Sequence, residues 1–101
     1  MYAVAFDMSI SDLEKHYGTP YNNAYFEIAT ILYKYSFYRI QGSTYVTEDK
    51  NMGNLMLAVD ALAYTEWFAK SVRDIRAFKI EDWSDLTETV KIKASLYQKR
   101  Q

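Results

Sequence analysis

The chain has 101 residues, half of them apolar and a quarter charged, which argues against a disordered chain and makes one domain over residues 1–101 the expectation. It has no cysteine and one histidine, so a disulfide framework, a thiolate zinc site, a thiol nucleophile and a two-imidazole mechanism within one chain are all excluded. Net charge is −1, but residues 1–50 carry −2, residues 51–90 carry −3 and residues 91–101 carry +4. A general basic coat for nucleic acid is therefore absent. The basic tail reads either as a solvated terminus or as a binding arm. No apolar run is long enough to span a membrane, and the opening MYAVAFD has no basic flank and carries a carboxylate at position 7, unlike a signal peptide. A soluble, cytoplasmic protein is the expectation. Ten tyrosines, five phenylalanines and two tryptophans are many for this length, and some of these rings are expected at a surface that meets something.

Residues 2–8 alternate, with Tyr2, Val4, Phe6 and Met8 on one side and Ala3, Ala5 and Asp7 on the other. This is strand periodicity, with a bulky face for helices and a small-residue face that another surface can approach closely. Ser11–Glu14 has capping-box spacing and Gly18 stops the short helical turn that follows. Thr19-Pro20 then reads as an N-cap with proline in the first helical position. Tyr21, Ala24, Tyr25, Ile28, Leu32 and Tyr35 recur at helical spacing and predict a helix over about 20–35. Phe37–Gln41 and Thr44–Thr47 are β-rich around Gly42-Ser43, either as a type II′ hairpin or as one longer strand with a bulge at Gly42. Asp49 is placed to cap a second helix, with the stripe Met52, Leu55, Met56, Val59, Leu62 and Ala63, running to about Ala69. Ser71–Ile80 reads as a strand of ambiguous facing, because Arg76 shares parity with Phe78. In the tail, Ser84 is the cap of a short helix from Trp83-Ser84-Asp85, followed by frayed or strand-like residues in preference to a full helix.

The order β-α-β-β-α-β is that of a ferredoxin-like α+β fold, a four-stranded antiparallel sheet with two helices on one face. The other face carries Ala3, Ala5 and Asp7 and is bare unless a second copy covers it. An isologous homodimer is thus expected, with the two copies of Asp7 brought near its axis.

Four segments, MYAVAFD at 1–7, QGSTY at 41–45, SVRDIRAF at 71–78 and DWSD at 82–85, together resemble the bacterial virulence-associated protein D (VapD) family over residues 1 to about 91. Residues 92–101 lie outside the pattern. The resemblance implies a homodimeric, ferredoxin-like and toxin-like endoribonuclease acting on RNA, with a cognate antitoxin protein as a candidate further partner; no membrane partner is expected, from the lack of a long apolar run. The family is in turn similar to the small CRISPR-associated nucleases, whose strand-end aspartate and Arg-x-Gln-x-Ser hairpin match Asp7 and Arg39, Gln41 and Ser43. Fold-mates differ in activity, so fold alone does not establish cleavage.

Phosphodiester cleavage needs a poised nucleophile, neutralisation of the phosphate and help for the leaving oxygen. Two copies of Asp7 meet these needs either by holding a divalent cation such as Mg²⁺ or by sharing one proton as an acid–base pair. The competing role of Asp7 is to cap the turn at Met8–Ser11. Ser43 is the second catalytic candidate. Arg39, Gln41, Gly42, Arg73 and Arg76 are candidate RNA-binding residues, Gly42 through close approach of its backbone. Gln41 and Ser43 also suit plain turn chemistry, and Arg39 a solvated strand face. Arginine forks bind phosphate and carboxylate equally well, so Arg73 and Arg76 can instead belong to an intramolecular or cross-dimer ion pair involving Asp74. Trp83, Tyr21 and Tyr25 can stack on exposed bases or belong to the core. His16 is expected to be exposed and has no assigned role. A non-catalytic RNA- or protein-binding dimer and a plain dimerisation module are the rival functions.

Overall fold

The computed structural model describes residues 1–99; Arg100 and Gln101, the end of the basic tail, lie outside them. The alternation of the first residues becomes strand β1 (Tyr2–Met8), in which Tyr2, Val4, Phe6 and Met8 are buried in the main core while Asp7 is exposed. Helix α1 (Ile10–His16) follows at once. Its cap is Ser9 rather than Ser11: the Asp12 N–H donates to Ser9 Oγ at 3.3 Å. Gly18 ends it at φ +119°, its N–H donating to the Leu13 carbonyl, a conformation open to glycine at little cost.

Helix α2 (Asn22–Tyr33) buries Ala24, Ile28 and Leu32, the centre of the expected stripe, and begins two residues after Pro20. Strands β2 (Tyr38–Gln41) and β3 (Thr44–Thr47) form the hairpin. The two-residue loop is present, but Gly42 does not take the positive φ that a type II′ turn requires. The extra twist comes instead from a bulge in β2, where the register slips between Arg39↔Tyr45 and Gln41↔Thr44.

Helix α3 (Met52–Ala63) is capped by Asn51, whose Oδ1 accepts the Gly53 N–H at 2.8 Å, and not by Asp49. The expected continuous helix to Ala69 is broken at Tyr64–Thr65 and restarts as α4 (Glu66–Ser71). The physical reason lies in Phe68. Six residues beyond Leu62 on one helix, it would sit about 240° round from the buried stripe. The break re-aims it, leaving Phe68 buried against Phe6 at a ring separation of 5.5 Å, while Trp67 packs edge-on to Tyr17 at 4.8 Å.

Strand β4 (Val72–Lys79) completes a four-stranded sheet in the order β2-β3-β1-β4, with β1 antiparallel to both neighbours. The ambiguous facing is resolved by a second bulge. Register passes from Asp7↔Asp74 to Met8↔Val72, leaving Arg73 as the extra residue, so Val72 and Ile75 both pack on the core. Arg76 and Phe78, opposite Ala5 and Ala3, share the helix-free face.

That face is only half open. The chain leaves β4 at one edge, and residues from Trp83 to Lys91 line a cavity with Ile40 and Gln41 of β2 at the other edge. The connection therefore crosses the sheet, and Ala3 and Val46 beneath it are buried. It ends in α5 (Thr87–Lys99), a full helix where a frayed or strand-like tail was expected; its start is capped by Asp85 Oδ1, which accepts the Thr87 N–H at 2.9 Å, not by Ser84. The side chains of α5 from Thr87 to Gln98 are all exposed. A radius of gyration of 16.6 Å, against about 13 Å for a compact chain of this length, shows that α5 projects from the body. No helix among the described residues is long and apolar enough to cross a membrane.

Candidate active site

Asp7 stands at the last outward-facing position of β1, and three features leave its carboxylate uncommitted. Ser9 does the capping, so no backbone N–H among the described residues donates to Asp7, and the alternative role of turn cap is not used. Its one ion pair among the described residues is with Arg73 Nε at 3.9 Å, between side chains that are 68% and 67% exposed. Such exposed pairs are worth about 0–1 kcal/mol. Its cross-strand neighbour is another acid, Asp74, and like charges directly opposite are unfavourable. Asp74 is neutralised by Arg76, whose Nε donates to both carboxylate oxygens at 3.0 and 3.3 Å. The sheet thus presents two adjacent carboxylates, Asp74 hydrogen-bonded to Arg76 and Asp7 only at ion-pair distance from Arg73.

The hairpin residues are divided by the bulge at Ile40. Arg39 pairs in register with Tyr45, whose buried ring stacks on Phe6 at 6.1 Å, and so belongs to the helix side. Gln41 pairs with Thr44, which lies opposite Ala5, and so belongs to the helix-free face with Asp7. Arg39, Gly42 and Ser43 line a cavity of about 510 Å³ together with Tyr21, Asn22 and Tyr25. The Ser43 carbonyl accepts the Phe6 N–H at 3.1 Å, which holds this end of the hairpin one residue from Asp7. Tyr25 lies close enough for the Asp7 charge to act on it: burial chiefly, then Tyr21 and Asp7, push its phenol above the ordinary tyrosine range. Arg76 shares the open half of the helix-free face with Asp7, Arg73 sits in the bulge beside it, and Trp83 lies on the crossing segment away from both. His16 is exposed.

Sequence reasoning offered Tyr21 and Tyr25 either as base-stacking or as core residues, but did not single out Asp74 as a neighbour of Asp7, nor Asn22 and Phe26 as lining a cavity with them. The four-residue spacing of two tyrosines with polar tips was visible; their meeting with Arg39 depends on the bulge and was not. Among the described residues, no group of three or more His, Cys, Asp or Glu could hold a metal ion. Mg²⁺ is commonly held by one or two carboxylates with waters and substrate phosphate, and one chain sets Asp7 and Asp74 on facing positions of β1 and β4.

A four-stranded antiparallel sheet in the order β2-β3-β1-β4, with helices on one face and an exposed aspartate one residue before the end of β1, is the arrangement of a small ferredoxin-like protein. The family model for CRISPR associated protein Cas2 matches residues 1–87, and the chain belongs to that family. It is 58% identical over 88 residues to Endoribonuclease VapD 1 of Riemerella anatipestifer, covering 87% of this chain and 99% of that protein. It is 53% identical over 91 residues to Endoribonuclease VapD of Dichelobacter nodosus, covering 90% and 98%. To Endoribonuclease VapD of Helicobacter pylori it is 50% identical over 93 residues, covering 90% and 99%. The family match closes at Thr87, where α5 begins.

Proposed function

We propose that this chain is a toxin-like endoribonuclease that cleaves single-stranded RNA in the cytoplasm as a homodimer, with Asp7 of both subunits at the scissile phosphodiester. The observation that carries the reading is the Asp7 carboxylate, held at a fixed strand end yet committed to no cap and no close ion pair. The names of the relatives support the activity and the substrate class. A cognate antitoxin protein is part of the same reading.

The surface around that carboxylate supports the dimer reading. The crossing segment covers the sheet at Ala3 and Val46, so a second copy meets only the half that carries Ala5, Asp7, Thr44 and Arg76. Ala5 and Thr44 are small enough for close approach, and a two-fold axis there sets one Asp7 beside the other. The pair can share a proton, since two like charges held close do not both ionise easily. It can equally supply two ligands to Mg²⁺, which when bound would neutralise the phosphate and acidify a coordinated water. Arg73 and Arg76 exchange carboxylate for phosphate oxygens as RNA enters, because the guanidinium fork fits both. Gln41 and the Ser43 hydroxyl donate hydrogen bonds to the strand, and Gly42 lets its backbone close in.

The test is an end-labelled single-stranded RNA incubated with purified protein, with added Mg²⁺ and with a chelator, alongside sedimentation analysis. Scission by a dimer is the expected result. Chelator-resistant scission selects the shared-proton scheme over the metal scheme. Salt-sensitive retention of intact RNA replaces the enzyme with the binding-only rival, and a monomer that cleaves removes the joint action of two aspartates.

A further inference from the structure

The cavity of about 510 Å³ between the start of α2 and the hairpin falls within the size range of small-molecule sites, and its walls differ in kind. One side is aromatic, made by Tyr21, Tyr25 and Phe26 at the start of α2. Phe26 is 70% exposed, an unusual state for a phenylalanine with no covering element, and it stands at the rim. The other side is the hairpin, with the Arg39 guanidinium, the Ser43 hydroxyl and the Gly42 backbone.

Arg39 is distinguished by what it lacks. Arg73 and Arg76 each face an aspartate, whereas Arg39 has no carboxylate within ion-pair distance among the described residues. A planar, unpaired cation facing aromatic rings matches a flat, electron-rich heterocycle, which rings meet by stacking and guanidinium by stacking or by donating to edge acceptors. An acidic peptide side chain would satisfy the guanidinium but leave the rings without a flat partner. The cavity also has a fixed relation to Asp7. The Phe6 N–H to Ser43 carbonyl bond (3.1 Å) ties the hairpin to the residue preceding it, and Tyr25 is within reach of the Asp7 charge.

We infer that this cavity is a nucleobase subsite: it seats one unstacked base of the RNA strand, adjoining the phosphate presented to Asp7, between the Tyr21, Tyr25 and Phe26 rings and the Arg39 guanidinium. This rests on the endoribonuclease reading and adds to it a means of choosing where the strand is cut. The opening at Gly42 lets the ribose-phosphate pass close to the hairpin, because no side chain blocks it there. A stacked base is worth about five- to a hundredfold in affinity, so the subsite acts mainly on binding and on register, and little on the chemical step.

Two measurements on the full chain test it. The first follows the amide resonances of residues 21–26 and 39–43 as each of the four ribonucleoside 5′-monophosphates is titrated in, which requires no cleavage. Shifts confined to these residues, weakened roughly tenfold by Phe26→Leu and by Arg39→Leu, are expected; no shift there with any of the four overturns the subsite. The second compares kinetics and cut positions on one RNA of mixed sequence. Phe26→Leu and Arg39→Leu should raise KM roughly tenfold, keep kcat within about threefold, and spread the cut positions. Unchanged KM and positions overturn the proposal even if Asp7-dependent cleavage is intact. Mononucleotide shifts without any RNA cleavage would instead overturn the enzyme reading and leave the base site standing. Phe26 is exposed, so its variant folds whatever becomes of the half-buried tyrosines.

Discussion

Replacing Asp7 by asparagine separates a catalytic carboxylate from a structural one. The substitution removes the ion pair with Arg73, which spans 3.9 Å between exposed groups and is worth about 1 kcal/mol by Coulomb's law in water before screening and side-chain entropy reduce it. Removing the charge also relieves its repulsion with Asp74 across the strands, a gain of about 0.2–1 kcal/mol. The two nearly cancel, so Asp7→Asn should change folding stability by no more than about 0.5 kcal/mol, or about 2–4 °C in Tm for a domain of this size. Cleavage should fall by about 10²–10⁴, the usual contribution of a positioned acid–base group. Urea denaturation followed by circular dichroism gives the first number, and single-turnover cleavage of end-labelled RNA gives the second. Asp74→Asn makes the same charge change one strand away, and should lower cleavage less than about tenfold. Cleavage by Asp7→Asn within threefold of wild type would refute the mechanism. A loss of stability above about 1 kcal/mol would show that the carboxylate holds the fold together instead.

Other expectations concern the scaffold. Leu62→Ala, at a fully buried position of α3, should cost about 2–5 kcal/mol in urea unfolding. Gly18→Ala should cost about 1–2 kcal/mol, because a Cβ there meets nothing within 4 Å but the backbone stands at φ +119°; Gly42→Ala, with open space and an ordinary φ, should stay within about 0.5 kcal/mol. Burial raises the folded-state pKa of Tyr45, opposed by the Arg39 charge, and burial, Tyr21 and Asp7 raise that of Tyr25. Their contribution is therefore whole below the unfolded tyrosine pKa of about 10 and is lost as pH rises through the folded values. Denaturation midpoints should decline in that alkaline window, and decline less in Tyr45→Phe. Ending the chain after Leu86 should leave the thermal midpoint within about 4 °C, since the side chains of α5 from Thr87 to Gln98 are exposed; a larger fall would place α5 in the folded body.

Local chemistry carried much of the architecture. The period-two pattern of Tyr2–Met8 places Asp7 on the face away from the helices in any antiparallel packing of that strand, because a bulky side must be buried and its alternate residues cannot follow it. The stripe through Ala24, Ile28 and Leu32 likewise specifies a helix from its own residues, while the residues around Gly42-Ser43 allow a hairpin or one bulged strand and pairing decides for the hairpin. Three decisions belong to the tertiary structure alone. The bulge at Ile40 sends Arg39 and Gln41 to opposite faces, and the bulge at Arg73 turns Val72 and Ile75 to the same one; both are set by cross-strand pairing, to which a single strand's pattern is blind. The break at Tyr64–Thr65 exists because Phe68 gains more by packing on Phe6 than the helix loses by interruption. The crossing of residues 81–86 buries Ala3 and Val46 and restricts the open face to the end that holds Asp7. Periodicity could say which residues face together along one element, since that depends on backbone geometry. Which groups meet across elements, Asp7 with Asp74 and Arg39 with Tyr25, depends on registers and connections that only the packed chain selects.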